Sequence, residues 1–528
     1  MRAGVVVELA AAQDGGQSLS VVTPSALRSR LDREARHVAA YVRIKGDAMA
    51  LREKRCSHSN AEALLATIEA REILPPIRLV ARAAVIVPGE DGHPVVLGPG
   101  YQAVAGGVLV TGRETPARVE LPEAVRALRN LLVDFEFATP GDESRTIAAT
   151  ITPALKMGGW LLRPTPVDVA ESDHSQAGKG YRQSATRAIY SERAYHIAPR
   201  EGGVGSMDES ISTALISGRP FVALDNVRGR FDSQFLESVI TWPESVHVRV
   251  PHRGEVSVDA RAVTFEMTSN GVEATRDFVN RSSITRIRKR PKDYTFRAWP
   301  GGDLLAHVEA HADFYLGCVF AVIGAWADAG RLRLPLTATG FHDFKEWAGV
   351  LGWIVQELFR MSPLLEGHES AQARASNPAL SWLRTVCLVA AERATQMDVM
   401  LSASAIVELC DHAGVDLPGL RSPVAEDQAR KHVGKLLARC FREADDPNRL
   451  AIDTFVVHRV EMVEYDPDHR CERPVRRYRI EKPVPAVPPV PLEPITPTES
   501  RKFHRSNSLS GHTGQPVSEE EGHDERFT

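Results

Sequence analysis

Short apolar runs bounded by Gly, Asp or Asn alternate with helical periodicity from Pro122 to about residue 292. That alternation predicts parallel strands joined by crossover helices, an α/β unit. Strands are expected over 166–171, 220–226, 262–267 and 282–289, and helices over 178–190 and 274–280. Upstream the rhythm differs. Residues 25–41 and 61–72 alternate charge along helical faces, so 1–72 reads as a helical accessory region. The stretch 73–120 is β-rich, with turn signals at 89–92 and 98–101. Downstream, 303–329 and 341–359 are apolar helical segments, and 368–377 is a polar, Ser/Ala-rich link. A helical block with a basic, β-rich end fills 378–482. The remainder, 483–528, opens with seven prolines in 15 residues, then turns polar and acidic. Such a composition buries too little apolar surface to offset chain entropy, so this tail is expected to be disordered.

Composition narrows the class only modestly. A length of 528 residues suggests several folded units, and 43% apolar with 25% charged residues is ordinary for a globular protein. Lys and Arg number 64 against 68 Asp and Glu, a net charge of −4. Any nucleic-acid footprint must therefore be local. Six cysteines lie far apart with no C-x-x-C pair, which excludes a zinc ribbon or a disulfide scaffold and fits a reducing cytoplasm. The longest apolar stretch, 314–327, is 14 residues, and a spanning helix needs about 20, so no membrane partner is expected.

Candidate chemistry concentrates in the α/β stretch. Between an expected strand and helix lies Gln176-Ala177-Gly178-Lys179-Gly180-Tyr181. A phosphate-binding loop needs glycine where backbone N–H groups wrap the phosphates, a lysine for their charge and a hydroxyl for magnesium. The central Gly178-Lys179 is present; Asp173 stands at the first glycine and Gly180 at the hydroxyl. About 46 residues after Lys179, an apolar strand ends in Asp225-Asn226. An acid at a strand's C-terminal edge sits where ligands bind in open α/β sheets and is placed to hold Mg²⁺. In many ATPases a Glu follows that acid; here it is Asn226. About 45 residues further, a strand ends in Thr268-Ser269-Asn270, and Arg281 stands at a helix-to-strand corner, placed to reach a neighbouring subunit's nucleotide. The order of these elements points to a P-loop NTPase binding ATP with Mg²⁺.

These residues resemble a family. The run 131–137 (LLVDFEF), the AGKG loop, 218–227 (GRPFVALDNV) and 268–270 (TSN) look like phage- and plasmid-encoded primase-helicase ATPases. Those are AAA+-like proteins of helicase superfamily 3, related to poxvirus-type primase-helicases. The segments 325–330 and 340–347 look similar to helices that follow the ATPase core there, which would make 301–365 a helical lid on a core spanning 121–300. The turn 98–101 resembles one that precedes that core. The resemblance implies that Lys179 contacts phosphate, Asp225 serves the magnesium site, Asn270 is the sensor and Arg281 a finger acting in trans. It also implies a ring homo-oligomer moving along DNA. Gly180-Tyr181 and Asn226 depart from the family pattern, and 1–110 carries no acidic D-x-D pair of a primase.

The basic end adds a second candidate. Residues 401–410 and 428–442 read as helices, followed by strand-like runs 453–465 and 476–480 joined by a turn at 466–469. Helix, helix, then ribbon is the order of a winged helix, whose second helix can enter a major groove. Arg430, Lys431, Lys435 and Arg439 on that helix, with Arg470, Arg473, Arg476 and Arg477 on the ribbon, are the expected DNA contacts. His307 and His311, four apart, have metal-pair spacing but no third ligand, and read as polar residues on a helix. Two functions remain open: an ATP-dependent DNA motor of a mobile genetic element, or a non-hydrolysing, nucleotide-sensing DNA-binding scaffold or regulator.

Overall fold

The apolar runs of the central stretch assemble into one six-stranded sheet. Its strands are β1 (Glu136–Phe137), β2 (Val167–Glu171), β3 (Tyr195–Ile197), β4 (Phe221–Val227), β5 (Thr264–Ser269) and β6 (Ser282–Arg288). Across the sheet they run β1-β6-β2-β5-β4-β3, all parallel except the antiparallel β1–β6 edge pair. The structure, a computed structural model, describes residues 1–481 apart from 13–15, 35, 47, 113–114, 173–175, 198–205, 228–229, 243–244, 251–253, 271, 336, 338–342, 394–395, 419, 421–424, 443, 445, 453–454 and 467–470. Met1–Lys482 forms one compact unit. The tail expected to be disordered, 483–528, lies outside the described residues, as does the turn expected around 466–469 beyond Asp466.

The sheet is buried on both faces, as a parallel sheet must be. Val167, Val169, Val222, Leu224, Phe265, Met267 and Ile284 are all at most 4% exposed. Each such side chain contributes roughly 1.5–3 kcal/mol by leaving water. The crossovers carry helices Lys179–Ile189, Met207–Ile216, Gln234–Thr241 and Arg276–Asn280. Between the last two, a hairpin of Val246–Val250 and Gly254–Val258 buries Val246, Val248 and Val258. Helix Pro140–Met157 starts with a capping box from Thr139 and Asp142. Its buried Arg145 donates to the carbonyls of Ile284, Leu364 and Glu366, tying it to β6 and to the chain ahead of residue 368.

One pairing sets the loop helix against the sheet. Asp168 of β2 stands in register with Glu266 of β5, two buried carboxylates side by side. Helix Lys179–Ile189 covers both: Arg182 donates to Asp168 at 2.7 and 2.8 Å, and Arg187 pairs with Glu266. Burial pushes the Glu266 carboxyl up to about 7, against the opposing pull of Arg187.

Several expectations need correction. Residues 1–72 are not simply helical: helix Pro24–Arg33 stops early, and hairpins form from Val7–Ala11 with Gln17–Val21 and from Val38–Lys45 with Ala48–Lys54. The segment Val38-Ala-Ala-Tyr-Val-Arg-Ile carries β-branched and aromatic residues that favour a pleated surface over a helix. The apolar helix expected over 303–329 breaks at His311 into Leu304–Ala310 and Ala312–Asp328, bent by 81°. Among the described residues no single helix is long and apolar enough to cross a membrane. The polar link expected at 368–377 is instead helix His368–Ser376, because Ala371 and Ala375, four apart, give it a buried face.

Residues 378–481 have a core of their own. Helices Pro378–Glu392, Ala403–Ala413 and Glu426–Arg442 pack on a four-stranded sheet in the order Met400–Leu401, Cys471–Glu481, Phe455–Asp466, Arg449–Ile452. Ser402 caps Ala403–Ala413 as its position predicts, accepting from the Ala405 N–H at 3.0 Å.

Candidate functional site

Ligand crevices in open α/β sheets form where neighbouring strands send their crossovers in opposite directions. Here those neighbours are β2, which connects across the sheet to β3, and β5, which connects back past β2 to β6. The residues following their C-terminal ends line a cleft of about 410 Å³: Gln176 to Tyr181 after β2, Thr268 and Asn270 at the end of β5, and Asp225 with Asn226 on β4. The loop, the acid, its neighbouring Asn and the Asn270 tip thus come together as expected. Asp173, assigned to the first glycine position, lies outside the described residues.

The loop's geometry explains its residue types. Gly178 caps helix Lys179–Ile189 at φ +92°, a region that favours glycine, and a Cβ there would sit 3.2 Å from the Phe135 ring. Gln176 is also left-handed, at φ 62°. Lys179, at the helix's first turn, donates to the side-chain oxygen of Asn270 across the β2–β5 crevice. The first N–H groups of a helix have no intrahelical partners and favour anions, and the lysine adds a formal charge beside them. The Tyr181 hydroxyl faces away from that chemistry, since it accepts from the Leu305 N–H at 3.0 Å and fastens the loop helix to Leu304–Ala310.

On the opposite wall, β4 bends after Leu224, where its register with β5 shifts. Asn226 takes φ 54°, a conformation Asn tolerates better than most residues. Its N–H donates to the Thr268 hydroxyl at 2.7 Å, and that hydroxyl donates to Asp225 Oδ1 at 2.5 Å. Thr268 therefore positions both residues, a role the sequence signals only through its place on the strand tip. At the root of the loop, Glu171 is 2% exposed, pairs with Arg374 of helix His368–Ser376 and accepts from the Val272 N–H at 3.1 Å. Reading 368–377 as a link hid Arg374.

For a metal, Asp225 is the only carboxylate among the described residues that line the cleft. Among the described residues no cluster of three or more His, Cys, Asp or Glu could hold a metal by itself. Mg²⁺ keeps several waters and takes one or two carboxylates together with substrate phosphates, so one exposed acid facing the Gly178-Lys179 turn fits it. Neither Gly180 nor the engaged Tyr181 hydroxyl provides the usual second ligand. The rings of His307 and His311 lie 4.4 Å apart, but His307 Nε2 contacts the Tyr315 hydroxyl at 3.0 Å, a packing arrangement.

Arg281 does not join the cleft. It sits at the opposite end of the sheet, where its carbonyl accepts from the Val167 N–H at 3.0 Å and its guanidinium pairs with Glu237 at 3.2 Å. The basic C-terminal residues are also more engaged than a count of charges suggests. Helix Glu426–Arg442 begins with two acids, and Asp427 pairs with Arg430 at 2.5 Å and Lys431 at 2.7 Å. Arg439 reaches Glu273 of the α/β unit at 3.6 Å. On the ribbon, Arg476 pairs with Glu461 at 3.0 Å and Arg477 with Glu464 at 2.6 Å, while Arg473 stands opposite Glu464 in the ladder. Lys435 is exposed. Arg470 lies outside the described residues.

No protein-family model matches the sequence, and neither does any curated protein. Among solved structures, the apo A form of the NrS-1 C-terminal region is similar at 11% identity and TM-score 0.30, covering 72% of this chain and 83% of that one. A second structure of that region gives 14%, 0.26, 56% and 69%. SCCmec type IV Cch, described as an active helicase, gives 11%, 0.33, 91% and 93%. At these TM-scores the likenesses carry no argument, and function rests on the site itself.

Proposed function

We propose that this chain is a cytoplasmic P-loop ATPase of the AAA+ kind, an ATP- and Mg²⁺-dependent DNA motor of helicase type serving the replication of a mobile element. The observation that carries the reading is the meeting of Lys179, Asp225 and Asn270 from three separate strand ends in one cleft at the crossover reversal of a parallel sheet. Gly178, Lys179 and the first N–H groups of the helix would cradle the phosphates, Asp225 would order Mg²⁺ and Asn270 would sense the terminal phosphate. Bound Mg²⁺ would supply charge neutralisation at the phosphates. Arg281, at the far end of the sheet, would serve the cleft of the next subunit in a head-to-tail ring. Residues 301–365 would act as a lid, consistent with the tie between Tyr181 and Leu305. Residues 378–481, with their helix–helix–ribbon order, would form a winged-helix unit on DNA.

A second reading, nucleotide sensing without turnover, draws on one observation: among the described residues, no carboxylate other than Asp225 lines the cleft to polarise water. ATP binding and hydrolysis, measured with and without single-stranded DNA beside Lys179→Ala, separate the two. DNA-stimulated turnover lost in the variant supports the motor, and lysine-dependent binding without turnover leaves the sensor. Binding unaffected by Lys179→Ala would overturn the phosphate site itself.

A further inference from the structure

A cluster of cations lies beside the cleft, on the chain that follows β6. As the chain leaves β6 it runs Arg288-Lys-Arg-Pro-Lys-Asp-Tyr-Thr-Phe-Arg297, five cations against one acid. Arg290 anchors this segment, with Nη1 on Glu136 at 3.0 Å, Nε on the Asp134 carbonyl at 3.1 Å and its guanidinium 4.4 Å from the centre of the Tyr294 ring. The Tyr294 hydroxyl donates to Asp134 at 3.0 Å, and the Arg297 N–H donates to the same carboxylate at 3.3 Å. Pinned this way, the segment holds Phe296 63% exposed, its ring edge-on to Tyr294 at 5.0 Å. Arg288, Lys289 and Lys292 are exposed and form no ion pair with a described residue. Next to it runs an open groove of about 500 Å³ lined by Asn130, Val133, and Arg126 with Arg129, which outweigh one carboxylate, Glu143, and Asn130 accepts from the Arg297 guanidinium.

We propose that this segment and groove form a contact surface for single-stranded DNA, with one base stacked on Phe296 and phosphates on the flanking cations. An exposed aromatic face that is already held in place stacks a base at little entropic cost, and any base suffices because every base has a π-face. A duplex hides those faces, which selects a single strand. Unpaired Lys and Arg on both sides complement a phosphodiester, whereas Arg430, Arg439, Arg476 and Arg477 near the C-terminal end are each paired with an acid. The surface also adjoins the cleft: the turn it grips carries Phe135, whose ring abuts Gly178. This inference rests on the reading of the chain as a DNA-acting protein and gives that activity a place.

The test is fluorescence anisotropy of the full chain with a labelled oligo-dT 20-mer at several salt concentrations, folding being checked by circular dichroism. Phe296→Ala, at a solvent-exposed position, should weaken binding by about 5- to 100-fold. Lys289→Glu with Lys292→Glu should flatten the log–log salt dependence by roughly 0.7 per lost phosphate contact. If the parent chain binds the oligonucleotide and both variants stay within twofold, the surface is overturned and the DNA reading stands. If the parent chain binds neither this strand nor a duplex, both fall. Competition by poly-glutamate that matches the oligonucleotide, with no effect of Phe296→Ala, would reduce the surface to a generic anion site and overturn base stacking.

Discussion

Thr268→Val tests whether the acid wall of the cleft is built for a metal–nucleotide complex. The hydroxyl donates to Asp225 at 2.5 Å and accepts from the Asn226 N–H at 2.7 Å, and valine keeps the shape while removing both bonds. A hydrogen bond to a charged group is worth about 1.5–3 kcal/mol, and an unmet backbone N–H costs about 1–3 kcal/mol when buried. Asp225 and Asn226 are exposed, so water recovers part of each. The left-handed turn at Asn226 then stands without its pin, at a further cost of about 1 kcal/mol. A net loss of about 1–2 kcal/mol in unfolding free energy follows, readable by urea denaturation. The site-specific effect is larger in kind, because Asp225 would no longer be held toward the loop. Binding of a fluorescent ATP analogue with Mg²⁺ should weaken about tenfold, while binding in EDTA should change little. Thr268→Ser, which keeps both bonds, should behave as the parent. If Mg²⁺-dependent binding in Thr268→Val stays within twofold of the parent while stability falls, Asp225 is not a magnesium ligand.

Four further outcomes follow from the same geometry. Lys179→Ala removes the only cation among the described residues lining the cleft and should raise the Kd for ATP about 10- to 100-fold, measured by the same titration, with stability nearly unchanged. Gly178→Ala demands φ +92° of an L-residue and presses a methyl to 3.2 Å from Phe135, so calorimetry should show a loss of about 1–2 kcal/mol together with lost nucleotide binding. Arg374→Ala leaves Glu171 buried and uncompensated, which should destabilise the fold by about 3 kcal/mol in denaturant melts. Glu266 binds its proton more tightly folded, at about 7, than unfolded, near 4.5, so its stabilising share is complete below pH 4.5 and is lost as pH rises through 7. That is about 3 kcal/mol of decline, and Glu266→Gln should flatten the curve between pH 5 and 8 even though its absolute stability is lower.

Much of the site was legible because its parts lie at strand tips, where an apolar run ending in a polar residue marks the place. Lys179, Asp225 and Asn270 share one cleft because β2, β4 and β5 are parallel and all three residues lie at or beyond their C-terminal ends. What escaped was what the chain brings together across long sequence separations. Arg374 meets Glu171 from 203 residues away, and nothing local marks either one. The same limit hid the pairing at the basic end: Arg476 and Arg477 look free in sequence, but the register of a long hairpin sets Glu461 and Glu464 against them. The hairpin Val38–Lys45 with Ala48–Lys54 was missed for a different reason, since charges spaced for a helix continued into a segment whose β-branched residues decided the outcome.

Two of the departures from the resembling family, Tyr181 and Asn226, are used by the fold. Tyr181 stands just past the missing hydroxyl and holds Leu305, and Asn226 stands where a catalytic Glu would be and occupies a left-handed turn that Glu would enter only under strain. Restoring the family residue at 181 removes the contact to Leu305, and at 226 it strains the turn. A chain in that position has two ways to act on a bound nucleotide. A neighbouring subunit supplies the missing polar groups, or the cleft binds without turning over. The first predicts ATPase activity that rises steeply with protein concentration as subunits associate. The second predicts lysine-dependent ATP binding that is the same at every concentration, with no hydrolysis at any. Arg281 decides which side to favour. Its ion pair with Glu237 faces away from its own cleft, so Arg281→Ala should abolish concentration-dependent turnover without changing ATP affinity. Turnover that survives Arg281→Ala would remove the trans-acting role and with it the main reason to expect a ring.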